Sequence, residues 1–176
     1  EDLIDPEKGW GGVAKLGYDS SDQSLGGSLA VAKKIENTSV LFQGAYKKGH
    51  ERDNLGKQDI DGFQRTAPNP ADFDQKNVMA KVRQDLAGGH RIGVTAERYD
   101  LDTDFDLRTM QSPTVVISGG RPATTYLPGQ GWGEENTHRD RVSFDYSYEA
   151  ESEDSVIDAA NATIFWQKLT KEAGSD

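Results

Sequence analysis

Between Arg141 and Val156 the chain reads RVSFDYSYEAESEDSV: Val142, Phe144, Tyr146 and Tyr148 alternate with Ser143, Asp145, Ser147 and Glu149. A period of two marks a β-strand with one apolar and one polar face. The same alternation predicts strands near 11–18, 25–35, 38–49, 77–87, 90–102, 139–150 and 155–169. Leu25, Leu29, Val31 and Ile35 share one parity of the second segment, with Ser28 and Lys34 on the other. Val40, Phe42 and Tyr46 oppose Ser39, Gln43 and Lys47 in the third. Val78, Ala80 and Val82 oppose Asn77, Lys81 and Arg83 in the fourth, and Ile92, Val94 and Ala96 oppose Arg91, Thr95 and Glu97 in the fifth. Ala160, Ala162, Ile164 and Trp166 continue the apolar parity in the seventh, where Phe165 breaks the rule. All six prolines fall outside these segments, as a paired strand requires.

The connections are unequal. Residues 36–37, 88–89 and 151–154 leave room for tight turns only. The links at 50–76 and 103–138 run to about 27 and 36 residues, far beyond the common 2–6. If successive strands are antiparallel neighbours, tight turns gather at one end of the sheet and long loops at the other. Transmembrane β-barrels have this asymmetry, with short periplasmic turns and long extracellular loops, and their strands alternate apolar-out and polar-in. The expectation is an all-β, antiparallel transmembrane barrel segment of about seven strands. Tyr18, Tyr46 and Trp166 would lie near the outer interface and Tyr148 near the inner one. An odd strand count does not close a typical bacterial barrel, so the wall is expected to be partial.

Composition sharpens this picture. Only 34% of the 176 residues are hydrophobic, 19 are glycine, and mean hydropathy is -0.75. That is too little to fill the core of a two-layer domain, yet enough for one thin apolar layer. The absence of cysteine excludes disulfides and thiolate metal sites. A net charge of -10 argues against nucleic acid as a partner. No Gly-x-Ser-x-Gly or His-Glu-x-x-His motif supports catalysis, so the chain is not expected to be an enzyme.

Several stretches together resemble the TonB-dependent outer-membrane receptors, in particular the haem and haemoglobin receptor group. These are DLIDPEKGWGGVAKLGYDSSDQSLGGSLAVAKK, then GAYKKGHERDNLG, RTAPNPADFDQKNVMAKV and RIGVTAERYDLDTD. The likeness covers most of the chain and thins across 103–137. It implies a 22-stranded barrel with an N-terminal plug, driven by the TonB complex and importing haem from haemoglobin or another haem carrier. Residues 1–10 would be the plug-to-barrel junction and 11–176 a partial barrel, with plug and later strands outside the chain. The location implied is the bacterial outer membrane, crossed many times and in contact with its lipid. Haem would be a transported ligand, not a resident cofactor. The family's loop motifs Phe-Arg-Ala-Pro and Asn-Pro-Asn-Leu are missing, so no axial haem ligand is carried over to any histidine here. A siderophore receptor of the same build, a passive porin and a soluble β-sandwich binding module are the competing readings.

Four residues are candidates for contact with ligand or carrier. His50 and His138 stand at the loop ends of their strands, and neutral imidazole ligates iron. Trp132 and Tyr126 belong to a glycine-rich loop, where an exposed aromatic can anchor a protein partner. His90, beside a tight turn, is a poor candidate. Asp100, Asp102, Asp104 and Asp106 offer an oxygen-rich calcium alternative, but an EF-hand would place Gly and Glu where Phe105 and Gln111 stand. If the strand continues through them, all four carboxylates share one face as a solvated strand top. Lys81, Arg83, Arg91, Glu97, Asp145 and Glu149 are the charged groups expected to face a lumen.

Overall fold

The computed structural model describes residues 3–5, 7–111, 113–125, 131–151 and 156–175. It is all-β, with 69% of residues in strands. Seven strands form one antiparallel sheet in sequence order: β1 (Trp10–Asp19), β2 (Ser24–Ile35), β3 (Thr38–His50), β4 (Ala71–Asp85), β5 (His90–Asp106), β8 (Trp132–Glu149) and β9 (Ala159–Ser175). The sheet is open, with β1 and β9 at its edges. A separate hairpin, β6 (Thr114–Ser118) and β7 (Arg121–Thr125), interrupts the connection from β5 to β8. No helix among the described residues is long and apolar enough to cross a membrane, a test that does not bear on strands.

All seven expected strands form, and the alternation sets their register. Val40 pairs with Val82, Val82 with Val94, Val94 with Phe144 and Phe144 with Ile164. Because side chains repeat every two residues, that row puts every apolar parity on one face. Four strands run several residues further toward the loop end than their periodicity suggested: β4 starts at Ala71, β5 ends at Asp106, β8 starts at Trp132 and β9 ends at Ser175. The β8–β9 connection spans 150–158 and exceeds the tight turn expected at 151–154.

Among the described residues no second layer covers the apolar face. Each strand of the sheet contacts only its hydrogen-bonded neighbours. Among the described residues only Ala32 and Ala71 are buried hydrophobics, while Phe42, Val94, Phe144 and Ile164 are 51%, 47%, 45% and 73% exposed. The polar face is the more enclosed of the two: Ser143 is 8% exposed beside Phe144. A soluble domain inverts this order.

The apolar stripe is also oblique to the register. Counting from the loop end, the row through Tyr18 and Leu25 meets Lys48 on β3. The next, through Leu16, Gly27 and Tyr46, meets Lys76 on β4. The third, through Ala14, Leu29, Gly44 and Val78, meets Arg98 on β5. The fourth, from Val31 through Phe42, Ala80, Ala96 and Val142 to Trp166, is the first that stays apolar to β9, and the row from Val40 to Ile164 follows it. The lower margin falls in the same sense, from Val40 and Val82 to Ile92 and then Tyr148. Hydrogen-bonded rows lie perpendicular to the strands, so a band that drifts across rows runs obliquely to the strands.

Candidate functional site

Two regions hold the chemistry: the loop end and the polar face. At the loop end the 51–70 connection is tied to the residues after β5. Gly62 N donates to Arg108 O at 2.8 Å, and Asn69 Nδ2 donates to Thr109 Oγ1 at 3.0 Å. Arg65 organises the loop from within. Its side chain is 3% exposed, and its guanidinium donates to Pro68 O at 2.7 Å and to Asp59 Oδ1 at 2.5 Å. A planar fork with several donors suits this task, where a lysine would satisfy one acceptor at a time. Arg108 adds a bond to Asp106 Oδ2 at 2.7 Å and lies 3.9 Å from Asp59. The two long connections therefore form one joined rim.

The sequence-derived candidates do not converge on one pocket. His50 meets Asp72 at 2.7 Å, and His138 meets Asp100 at 2.7 Å. Both histidines carry the same parity as Phe42 and Val142, so they point away from the enclosed polar face. Strands β4 and β5 lie between them, about 14 Å across the sheet at ~4.8 Å per strand, and the row of His50 meets β8 at Glu134, so His138 is also about 13 Å further along at ~3.3 Å per residue. Trp132, 48% exposed, opens β8 with the same parity. Tyr126 lies outside the described residues.

Strand β5 does continue through Asp106, so Asp100, Asp102, Asp104 and Asp106 share that face as a strand top. Arg98 and His138 hold Asp100, and Arg108 holds Asp106. Asp102 and Asp104 pair in register with Asp74 and Asp72, which sets like charges side by side. No group of three metal-ligating side chains occurs among the described residues.

No family model matches the chain, and no curated protein matches it. Its own geometry must carry the reading.

The polar face supplies that geometry. Lys81, Arg83, Arg91, Asp145, Asn161 and Thr163 line a cleft of about 270 Å³. Thr163 donates to Asp145 Oδ1 at 2.9 Å, Arg91 bonds Asp85, and Arg139 bonds Glu97. Lys171 reaches Glu135 at 2.9 Å. The charges of this face are thus paired with one another across neighbouring strands.

Sequence reading missed the segment that lies on this face. Leu3 and Ile4 sit with Ala30, Ala32, Leu41, Lys81 and Arg83 around a second cleft of about 280 Å³. Gly11 makes room for them, because a Cβ there would stand 1.7 Å from Leu3 O. The pattern offered one clue: β1 opens with glycine at both parities, Gly11 and Gly12.

At the β1–β2 turn, Asp22 accepts from Ser24 N at 3.1 Å and from Lys47 Nζ at 2.9 Å. The Ser24 hydroxyl, then the Lys47 ammonium, hold its carboxyl at about 2, below the usual 3.8. A depressed acid favours the folded turn above its unfolded pKa, and the benefit fades as pH falls through the folded value. The turn is therefore held in full above about pH 4 and released as pH falls through about 2. A carboxyl-carbon NMR titration of Asp22 checks this, and Lys47→Gln should raise the midpoint.

Proposed function

We propose that this chain is part of the barrel wall of a TonB-dependent outer-membrane receptor that imports haem, taken from haemoglobin or another carrier. The observation that carries the wall is the oblique apolar stripe, exposed along its length with no layer over it and backed by a more enclosed polar face. Lipid would cover the stripe, and the plug or water would meet the ion pairs around Lys81, Arg83, Arg91, Asp145 and Glu97. The lie of Leu3 and Ile4 along the polar face supports a chain that enters the wall from its interior, as a plug-to-barrel junction would. Against a soluble sandwich stands the want of a facing layer among the described residues.

Haem as cargo rests on the resemblance of the sequence. In this reading the joined rim built on Arg65 and Arg108 is the extracellular mouth, and it holds the capture surface. Ligand capture there would precede displacement of the plug when TonB pulls from the periplasm, and no step of bond chemistry is required of this chain. Trp132 and the β6–β7 hairpin, with Val115 and Ile117 exposed, are the surfaces offered to a carrier protein.

The test is growth on haem or haemoglobin as sole iron source in a host that lacks its own haem receptors. The full-length protein should restore growth, and deletion of tonB should abolish it. Restoration by ferric siderophore alone would replace the cargo, and uptake that persists without TonB would make the barrel a passive porin.

A further inference from the structure

Toward the loop end, the face that carries the stripe turns acidic, and two histidines stand at opposite corners of the acids. Three registered rows make up the block. The first runs His50, Asp72, Asp104 and Glu134 across β3, β4, β5 and β8, with three carboxylates abreast and no lysine or arginine. The next runs Lys48, Asp74, Asp102, Asn136 and Glu172. The third runs Lys76, Asp100, His138 and Thr170. Carboxylates directly opposite one another weaken an antiparallel pair, and this face has no apolar stripe here to offset them.

His50 Nδ1 stands 2.7 Å from Asp72 Oδ1, and His138 Nδ1 stands 2.7 Å from Asp100 Oδ1, each pair in register. One contact ties β3 to β4 and the other ties β8 to β5, so the two histidines bracket the acidic strand pair. Imidazole is the side chain whose charge ordinarily changes between about pH 5 and 8. A neutral ring gives each contact a hydrogen bond, and a proton on the ring makes it an ion pair. Around His50 stand Asp72 and Asp74 on β4, Lys48 on its own strand and Glu51 just after it, which accepts from Ala71 N at 3.0 Å. The β1–β2 turn adds Asp22, held by Lys47, and its backbone O accepts from His50 N at 2.9 Å. Around His138 stand Arg98, Asp100 and Asp102 on β5, Asp140 on its own strand, and Lys168 and Glu172 on β9. Acids outnumber the fixed cations in both sets.

We propose that His50 and His138 form a pH switch: in mildly acidic surroundings their protonation ties β3 and β8 to the acidic ends of β4 and β5 and firms the mouth. The joined rim is what responds, since the 51–70 connection enters β4 at Ala71 and the Arg108–Met110 turn follows β5. The two imidazoles, 50% and 39% exposed, are open to protons from solvent. That exposure keeps the effect of each pair modest, so the response is the sum of two. The switch needs only the sheet and its charges, so it goes beyond the cargo reading and holds for any ligand captured at the rim.

The experiment is hydrogen exchange by mass spectrometry on the full-length protein, at about pH 7.5 and 5.5, corrected for intrinsic rates. Protection over residues 71–76 and 100–106 should be roughly fivefold greater at the lower pH, with Val94 and Phe144 unchanged. His50→Gln with His138→Gln should abolish the difference. His90→Gln, at the opposite end of the sheet, should keep it. His50→Lys with His138→Lys fixes the charge and should give the higher protection at both pH values. Asp104→Asn removes the middle charge from the row of three and should raise protection at the higher pH. Equal protection of the wild type at both pH values would overturn the proposal, as would a difference that survives in the double Lys variant. A double Gln variant that loses protection at Val94 and Phe144 has unfolded, and the double Lys variant then decides.

Discussion

Phe144→Arg should destabilise the folded protein by about 2–4 kcal/mol in a bilayer, the cost of an arginine at mid-depth on the lipid face of a barrel. Phe144 occupies the middle of the stripe, in register with Val94 on one side and Ile164 on the other. A guanidinium there cannot reach water at either margin without bending the strand. The neighbouring Ser143 has the other parity, between Thr95 and Phe165, and Ser143→Asn should cost well under half as much, because it places an uncharged amide on the polar face. Urea-driven unfolding from lipid vesicles reads both numbers. Equal costs at the two positions would remove the distinction between the faces.

Gly89→Val is expected to cost at least about 2 kcal/mol, and for an unrelated reason. Gly89 closes the β4–β5 turn with φ +75, in the left-handed region where a β-branched residue is strained by roughly 1–3 kcal/mol. Space is lacking as well. A Cβ at Gly89 would stand 1.8 Å from Glu149 O on β8, while Gly89 O accepts from Glu149 N at 3.0 Å. The substitution must therefore break the link between this turn and β8. Amide exchange at Glu149 should rise by more than tenfold, with exchange at Phe144 much less affected.

How much of this was legible in the sequence depends on where each strand sits. The middle of every strand in the sheet was readable, because a wall with one apolar and one polar face writes a period of two. Val78–Val82 and Val142–Tyr148 are examples. The loop-end extensions were not: Trp132–His138 and Thr170–Ser175 are largely polar on both faces, and in Ala71–Lys76 the alternation reverses, with Ala71 and Phe73 on the parity of Lys81 and Asp72 and Asp74 on that of Val82. The β6–β7 hairpin hid for a similar reason, being five residues a side within a glycine- and proline-rich loop. The facing of His50 and His138 was available from parity, four residues beyond Tyr46 and four before Val142, and it removes them from the polar face. Nothing in the sequence marked Arg65 as the centre of its loop, because one arginine among many gives no sign of burial. The drift of the stripe needed the register itself, which joins residues far apart in the chain.

The most direct measurement is nitroxide accessibility along adjacent positions. This chain has no cysteine, so labels can be placed singly at Val94, Thr95, Ser143, Phe144, Thr163 and Ile164. In bilayers, labels at 94, 144 and 164 should collide freely with oxygen and hardly with a polar nickel chelate, and those at 95, 143 and 163 should not show that preference. Shielding of positions 94, 144 and 164 from both reagents would mean that protein, not lipid, covers the stripe, and would contradict the account.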